Sequence, residues 1–250
     1  VEIASLNNSS VFYMGVGDAA MTTDASNPAG AFDSNYTFHL NMEDASGGAV
    51  DSTTNANHFS SVTGTPTYQQ TGKVGYAIDF DGSTEYLRPG ATLTNMTTNA
   101  GAYTFRAWIN ASTYANNVIF FYGTSSPSAS EANGFAASGT AFVNYWISND
   151  LSGSVTNSTS TWYLYHATYD GTTRRVYRNG TQVGSDTPSA RNSANSNTYL
   201  GSNIYGNYHT GLIDEPSFSK VDRGAGWIAT EYANENDPAA FYTVGSDLLG

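Results

Sequence analysis

The stretch WYLYHATYDGTTRRVYRNGTQVGS, residues 162–185, holds runs of aromatic and β-branched residues separated by Asp170-Gly171 and Asn179-Gly180. Glycine tolerates the positive φ of tight hairpin turns, and these dipeptides are strong hairpin signals. The stretch therefore reads as strand, turn, strand, turn, strand: an antiparallel meander. It also invites a reading as a site, with His166 as a base and Arg174 and Arg175 as an anion clamp. In a strand, Leu164, His166 and Thr168 share one face, and that face carries neither a nucleophile nor an orienting acid. Arg174 and Arg175 point to opposite faces and cannot hold one anion together. The stretch is scaffold, with His166 a hydrogen-bonded sheet histidine and the arginines edge charge or salt-bridge partners.

The same pattern recurs outward. Short segments rich in Val, Ile, Phe, Tyr and Trp alternate with Gly, Asn, Asp and Ser clusters, as in a sandwich or barrel. Strands are expected at 37–42, 76–80, 85–87, 103–110, 118–122, 141–148, 162–169, 174–178, 181–184 and 211–219. In residues 103–110, Phe105, Ala107 and Ile109 share one face, and Thr104, Arg106 and Trp108 the other. Asp81-Gly82 is a further hairpin turn. One helix is expected at 226–234, with Trp227, Ile228 and Tyr232 as an apolar stripe and Pro238 as its stop. Residues 1–35 read as an N-terminal arm, and 36–250 as one β-domain.

Composition sets the chemistry. The net charge is −12, yet only 12% of the 250 residues are charged, and there is no cysteine. Disulfides and thiolate metal sites are excluded. A surface so poor in Lys and Arg argues against nucleic acid and anionic membranes. It suits neutral ligands, or cations held by carboxylates. No apolar run is long enough to span a bilayer. The chain begins at Val1, which reads as a processed or excised piece, and the composition leans extracellular.

Four motifs carry a resemblance. AIDFDGSTEYL (77–87), YTFRAWIN (103–110), the meander and GLIDEPSFSK (211–220) occur in the order seen in laminin-G-like domains of the concanavalin A-like lectin/glucanase superfamily. The resemblance covers about residues 36–234. The flanks, SSVFYMGVGDAAMTTDASNPAGAFDSN and WIATEYANENDPAAFYTVG, resemble a bacterial and archaeal surface-protein module of unknown function. The resemblance implies an all-β jelly-roll sandwich of two antiparallel sheets, with the 211–219 strand beside the 37–42 strand. It also implies frequent recognition of carbohydrate or protein, and often a calcium ion.

Catalysis finds little support in the residues. Glycosidases flank the bond with two carboxylates, about 5–5.5 Å apart in retaining enzymes. No period-2 run of acids supplies such a pair. Asp214 and Glu215 are neighbours and point to opposite faces, while Glu231 and Glu235 read as a solvated helix face. His39, His58 and His209 show no metal-ligand spacing.

Calcium takes oxygen ligands from carboxylates, amides and carbonyls, and the acid-bearing loop 43–58, the FDG at 80–82 and the IDE at 213–215 offer them. The resemblance points to Asp214, with Asp51 and Asp81 behind it. The alternative is that these residues form turns by bonding their own backbone.

A glycan site would use exposed aromatics. Tyr205 and Tyr208 lie in a Gly/Asn loop; Tyr145 and Trp146 lie in VNYWISND (143–150) and point opposite ways, so at most one of them serves. Trp108 and Trp162 are expected in the core. The leading expectation is a non-catalytic extracellular recognition or adhesion module for a glycan or surface protein, with structural calcium. The other is a structural subunit of a surface layer, fibre or virion, self-assembling through its N-terminal arm and sheet edges.

Overall fold

A computed structural model describes residues 28–241, positions 116 and 190 excepted. Residues 1–27, most of the expected arm, lie outside the described residues. In chain order the strands are β1 (Tyr36–His39), β2 (Ser61–Thr63), β3 (Thr67–Thr71), β4 (Tyr76–Asp81), β5 (Tyr86–Arg88), β6 (Tyr103–Ala111), β7 (Asn117–Gly123) and β8 (Ala132–Ala137). There follow β9 (Ala141–Tyr145), β10 (Leu151–Ser154), β11 (Trp162–Tyr169), β12 (Arg174–Arg178), β13 (Thr181–Asp186), β14 (Asn197–Leu200) and β15 (Thr210–Ser219). Two helices close the described chain, α1 (Ala225–Asn236) and α2 (Pro238–Phe241).

The strands form two antiparallel sheets. The first runs β13-β12-β11-β6-β15-β4-β3, with β1 paired to β15, and the second runs β10-β9-β8-β7-β14-β5-β2. The expected pairing of the last strand with the first is present: Phe38 lies opposite Phe218. The meander is also present, and Asn179 and Gly180 both adopt positive φ in its second turn. Among the described residues, no helix is long and apolar enough to cross a membrane.

The alternation of β6 divides the sandwich. Phe105, Ala107 and Ile109 face inward and are buried in the main apolar cluster. Phe105 stacks on Phe135 at 4.2 Å and on Phe120 at 5.2 Å, tying the two sheets together. Burying a ring of this size contributes about 1.5–3 kcal/mol. A second, polar layer runs through the core. Tyr103 Oη donates to Asn144 Oδ1 at 2.6 Å, Asn144 Nδ2 to Asn133 Oδ1 at 2.7 Å, and Trp146 Nε1 to the same Asn133 oxygen at 2.9 Å. Trp146 is fully buried here, beneath the Arg174 guanidinium at 4.2 Å. That corrects its reading as a ligand-facing aromatic: β9 turns Tyr145 outward and Trp146 inward.

The outer face of β6 is covered by α1, and the contact is mainly ionic. Arg106 Nη1 meets Glu231 at 2.8 Å and Glu235 at 2.6 Å, and its Nη2 lies 3.8 Å from Glu215. Trp108 Nε1 donates to Glu235 at 2.6 Å. His166 bonds Glu231, and His39 bonds Glu215, each at 2.7 Å. Glu231 and Glu235 are thus not a solvated face. Burial alone would push the Glu231 carboxyl up, but Arg106 and His166 outweigh it and hold it well below the usual carboxylate range. Ile228 is the buried apolar residue of the helix, whereas Trp227 is 48% exposed and sits over Arg223 rather than in the stripe.

β15 reaches this cluster through a bulge between Asp214 and Ser217. Pro216 can sit in a central strand there because a bulge frees it from donating to the ladder. Glu215 takes a positive φ of 52° beside it, and its carboxylate reaches both His39 and Arg106.

Candidate functional site

The outer face of the second sheet carries a groove of about 610 Å³. Its floor is one cross-strand row, Val143 on β9, Ala136 on β8 and Val118 on β7. Such a row forms because residues in register on neighbouring strands project from the same face. The next row in that direction is Tyr145, Gly134, Phe121 and Tyr199.

Gly134 determines what Tyr145 can do. A Cβ on Gly134 would fall inside the far half of the Tyr145 ring. The missing side chain lets that ring lie across β8 and stack on Phe121 at 6.1 Å, with an interplanar angle of 23°. A glycine inside a strand commonly marks such a close approach. The Tyr145 hydroxyl lies beside the Asn203 carboxamide.

Two loops complete the walls. Asn203 organises the first: its Oδ1 accepts from the backbone N–H of Tyr205 at 2.9 Å and of Asn207 at 3.2 Å. This turn presents Tyr205, 53% exposed, at the groove. In the second, Asp150 Oδ1 accepts from Trp146 N at 2.9 Å and closes a turn in which Ile147 and Ser148 have φ of 56° and 58°. A β-branched residue in the left-handed region is strained by about 1–3 kcal/mol, and such strain concentrates at functional sites. Ile147 and Asp150 both line the groove, as does Tyr114 from the β6–β7 loop. Among the described lining residues there is no Lys, Arg or His, and Asp150 is the one carboxylate.

Of the expected aromatic ligands, Tyr145 and Tyr205 come together here. Tyr208 does not line the groove; it stacks on Tyr86 at 6.3 Å. Gly134, Asp150, Asn203 and Tyr114 were not singled out from sequence. For Gly134 the sequence signal is slight, a single glycine in ANGFAA, a segment without the pattern of a strand.

No curated protein matches the chain by sequence. Residues 81–229 match the concanavalin A-like lectin/glucanases superfamily, more than half of the chain. The chain belongs to the concanavalin A-like lectin/glucanase superfamily. Solved structures share its architecture. Domain 4 of AbnA, a GH43 extracellular arabinanase from Geobacillus stearothermophilus, solved with arabinotriose, is 20% identical. That match covers 80% of this chain and 98% of that one, with a TM-score of 0.62. The binding domain of Paraclostridial Mosquitocidal Protein 1 is 12% identical, covering 79% of this chain and 52% of that one, at 0.57. The binding domain of botulinum neurotoxin DC, in complex with SialylT, is 10% identical, covering 81% and 52%, at 0.56. At these identities the likeness is one of fold. The chain spans about half the length of the toxin binding domains.

The three aspartates expected to hold calcium occupy three different settings. Asp51 Oδ1 accepts from the backbone N–H of His39 and Thr53, and its Oδ2 from Asn57 N and the Thr53 hydroxyl, all within 3.0 Å. Asp81 accepts from the N–H groups of Ser83 and Thr84 and from both hydroxyls. Both therefore take the turn-forming reading, their lone pairs already directed at protein donors. Asp214 is buried and accepts from Lys73 N at 2.8 Å and Val74 N at 2.9 Å. Burial pushes its carboxyl up to about 8. Among the described residues, no three His, Asp or Glu side chains converge as a metal-binding group. Asp214, Asp51 and Asp81 do not converge on one point among the described residues. Adding EDTA is expected to leave the melting temperature unchanged; a fall on chelation, reversed by calcium, would show an ion held by other oxygens.

Proposed function

We propose that this chain is a non-catalytic glycan-binding module of a secreted or surface protein, and that the groove takes a neutral sugar. The observation that carries the reading is Tyr145, held across Gly134 in the same groove as the exposed Tyr205, with no cation in the described lining. An aromatic ring offers an apolar face to the C–H face of a sugar, and the exposed Tyr205 keeps its hydroxyl free for hydrogen bonding as well. Asp150 has one carboxylate oxygen engaged by Trp146 N, and the other is free to accept from sugar hydroxyls. A carboxylate without a neighbouring cation disfavours an acidic sugar by simple repulsion. Glycoside hydrolysis uses two carboxyl groups across the bond, and Asp150 alone supports binding rather than cleavage. The arabinotriose complex of the arabinanase domain supports the same class of ligand.

Immobilised panels of neutral and acidic oligosaccharides test this directly. The wild type is expected to retain neutral sugars and not acidic ones. Tyr205→Ala is expected to weaken retention about tenfold or more, as truncating an aromatic anchor commonly does, with the melting temperature little changed because the ring is exposed. Gly134→Ala is expected to do the same by displacing the Tyr145 ring. Failure to bind any sugar, or binding that survives both substitutions, would overturn the proposal.

A further inference from the structure

The row that holds Tyr145 does not stop at the groove. Tyr145, Gly134, Phe121 and Tyr199 stand in register across β9, β8, β7 and β14. Leu200 pairs with Leu87, so Tyr199 stands beside Arg88 on β5. The rings touch in sequence: Tyr145 to Phe121 at 6.1 Å, Phe121 to Tyr199 at 6.2 Å, and Tyr199 to Tyr86 at 5.4 Å. The Arg88 guanidinium stacks over Tyr199 at 4.6 Å, and its Nη2 reaches Asn197 Oδ1 at 3.5 Å.

Tyr145, Tyr199, Tyr86 and Arg88 are all partly buried. The helix α1 docks on the opposite sheet, against Arg106 and Trp108. Phe121 is buried beneath the row, so its outer surface is formed by the flanking Tyr145, Tyr199 and Tyr86 rings, and aromatic surface of this kind edged by polar groups marks ligand grooves. From β9 to β5 is four inter-strand steps, about 19 Å at roughly 4.8 Å each. Several linked sugars fill that length, and a single sugar does not.

We propose that the groove is one end of a longer track, and that the track takes an unbranched oligosaccharide lying across the strands. Tyr199 and Arg88 form its second station. Tyr199 positions Arg88, whose guanidinium lies over its ring and supplies N–H donors in a fixed fork to sugar hydroxyls. This rests on the glycan reading of the groove and extends it from a monosaccharide pocket to a chain-reading face. The occupant follows from the shape and polarity of the row: extended, aromatic and lined with donors.

Calorimetric titration with unbranched neutral arabino-, xylo- and gluco-oligosaccharides of two to six units tests the track. In the series that binds, the wild-type affinity is expected to rise about tenfold or more between the shortest and longest member, tenfold corresponding to about 1.4 kcal/mol. In Tyr199→Ala and Arg88→Ala the longest member is expected to fall to the affinity of the shortest. The shortest should bind as in the wild type, which also reports an intact fold. Equal wild-type affinity at every length would overturn the track and leave the groove standing. So would an equal loss at every length in the variants. Absence of binding by any series would overturn the groove, and the track with it.

Discussion

Replacing Arg106 by methionine is expected to destabilise the fold by about 3–5 kcal/mol, the usual cost of removing one partner from a buried ionic cluster. Arg106 is buried in the outer face of β6, and three carboxylates converge on it from two directions, Glu231 and Glu235 from α1 and Glu215 from the β15 bulge. Methionine keeps the apolar stem but leaves those acids facing one another across a dry interface. Little else holds the helix. Its N-cap is Gly224, which makes no side-chain capping bond, and its first turn carries no acid and its last no base. A helix of 12 residues with no cap is marginal by itself and draws its stability from docking. Ile228 is buried, Tyr232 packs 5.9 Å from Trp108, and Lys73 Nζ donates to the Asn236 carbonyl, but the side-chain bonds to the sheet centre on Arg106 and its carboxylates. Denaturant unfolding measures the loss, and hydrogen exchange should show α1 opening ahead of the sheets. Combining Arg106→Met with Glu231→Gln and Glu235→Gln is expected to recover part of it by removing the stranded charges. A loss below about 1 kcal/mol, the range of a surface pair, would show that the cluster does not hold α1.

How much of this was legible follows from where each signal sits. The meander and β6 could be read directly, because alternation and the Asp-Gly and Asn-Gly turns are local and each strand keeps one clean apolar face. β2, β3, β8, β10 and β14 were not expected. LSGS has no β-branched or aromatic residue and ANGFAA only Phe135, so neither carries the run that marks a strand. Their composition answers neighbours instead: Gly134 makes room for Tyr145, and Asn133 carries the buried amide network to Tyr122, Asn144 and Trp146. Tyr145 and Trp146 were rightly expected to diverge, but strand register decided which one reached the surface. Glu231 and Glu235 share a helix face by spacing alone. That the face is covered depends on Arg106, more than a hundred residues away, and no local pattern encodes that. The aspartates were ambiguous for a related reason. Asx turns and metal loops draw on the same residues, and only the donors around each oxygen separate the two.

Asp214 gives the second large effect, and its sign is opposite to that of most acids. Its carboxyl is buried, Oδ2 accepts from Lys73 and Val74, and Oδ1 meets no donor among the described residues. Burial raises its pKa to about 8 from 3.8. The folded state therefore holds the proton more tightly than the unfolded chain. The stability tied to this proton is complete below about pH 4 and is lost as the pH climbs to about 8, at about 1.4 kcal/mol per pH unit. Asp214→Asn keeps the shape and an oxygen for the two N–H donors but cannot ionise. Near pH 4 the variant is expected to match the wild type or fall slightly below it, since an amide N–H₂ takes the place of the unpartnered hydroxyl. By pH 8 it should be the more stable protein by a few kcal/mol. The two proteins differ only at this group, so the difference between their unfolding curves reports it. Parallel curves from pH 4 to 9 would mean that Asp214 is ionised in the fold, and would restore it as a cation ligand. A widening gap would establish it as a neutral acid that fastens the β3–β4 turn to the central strand.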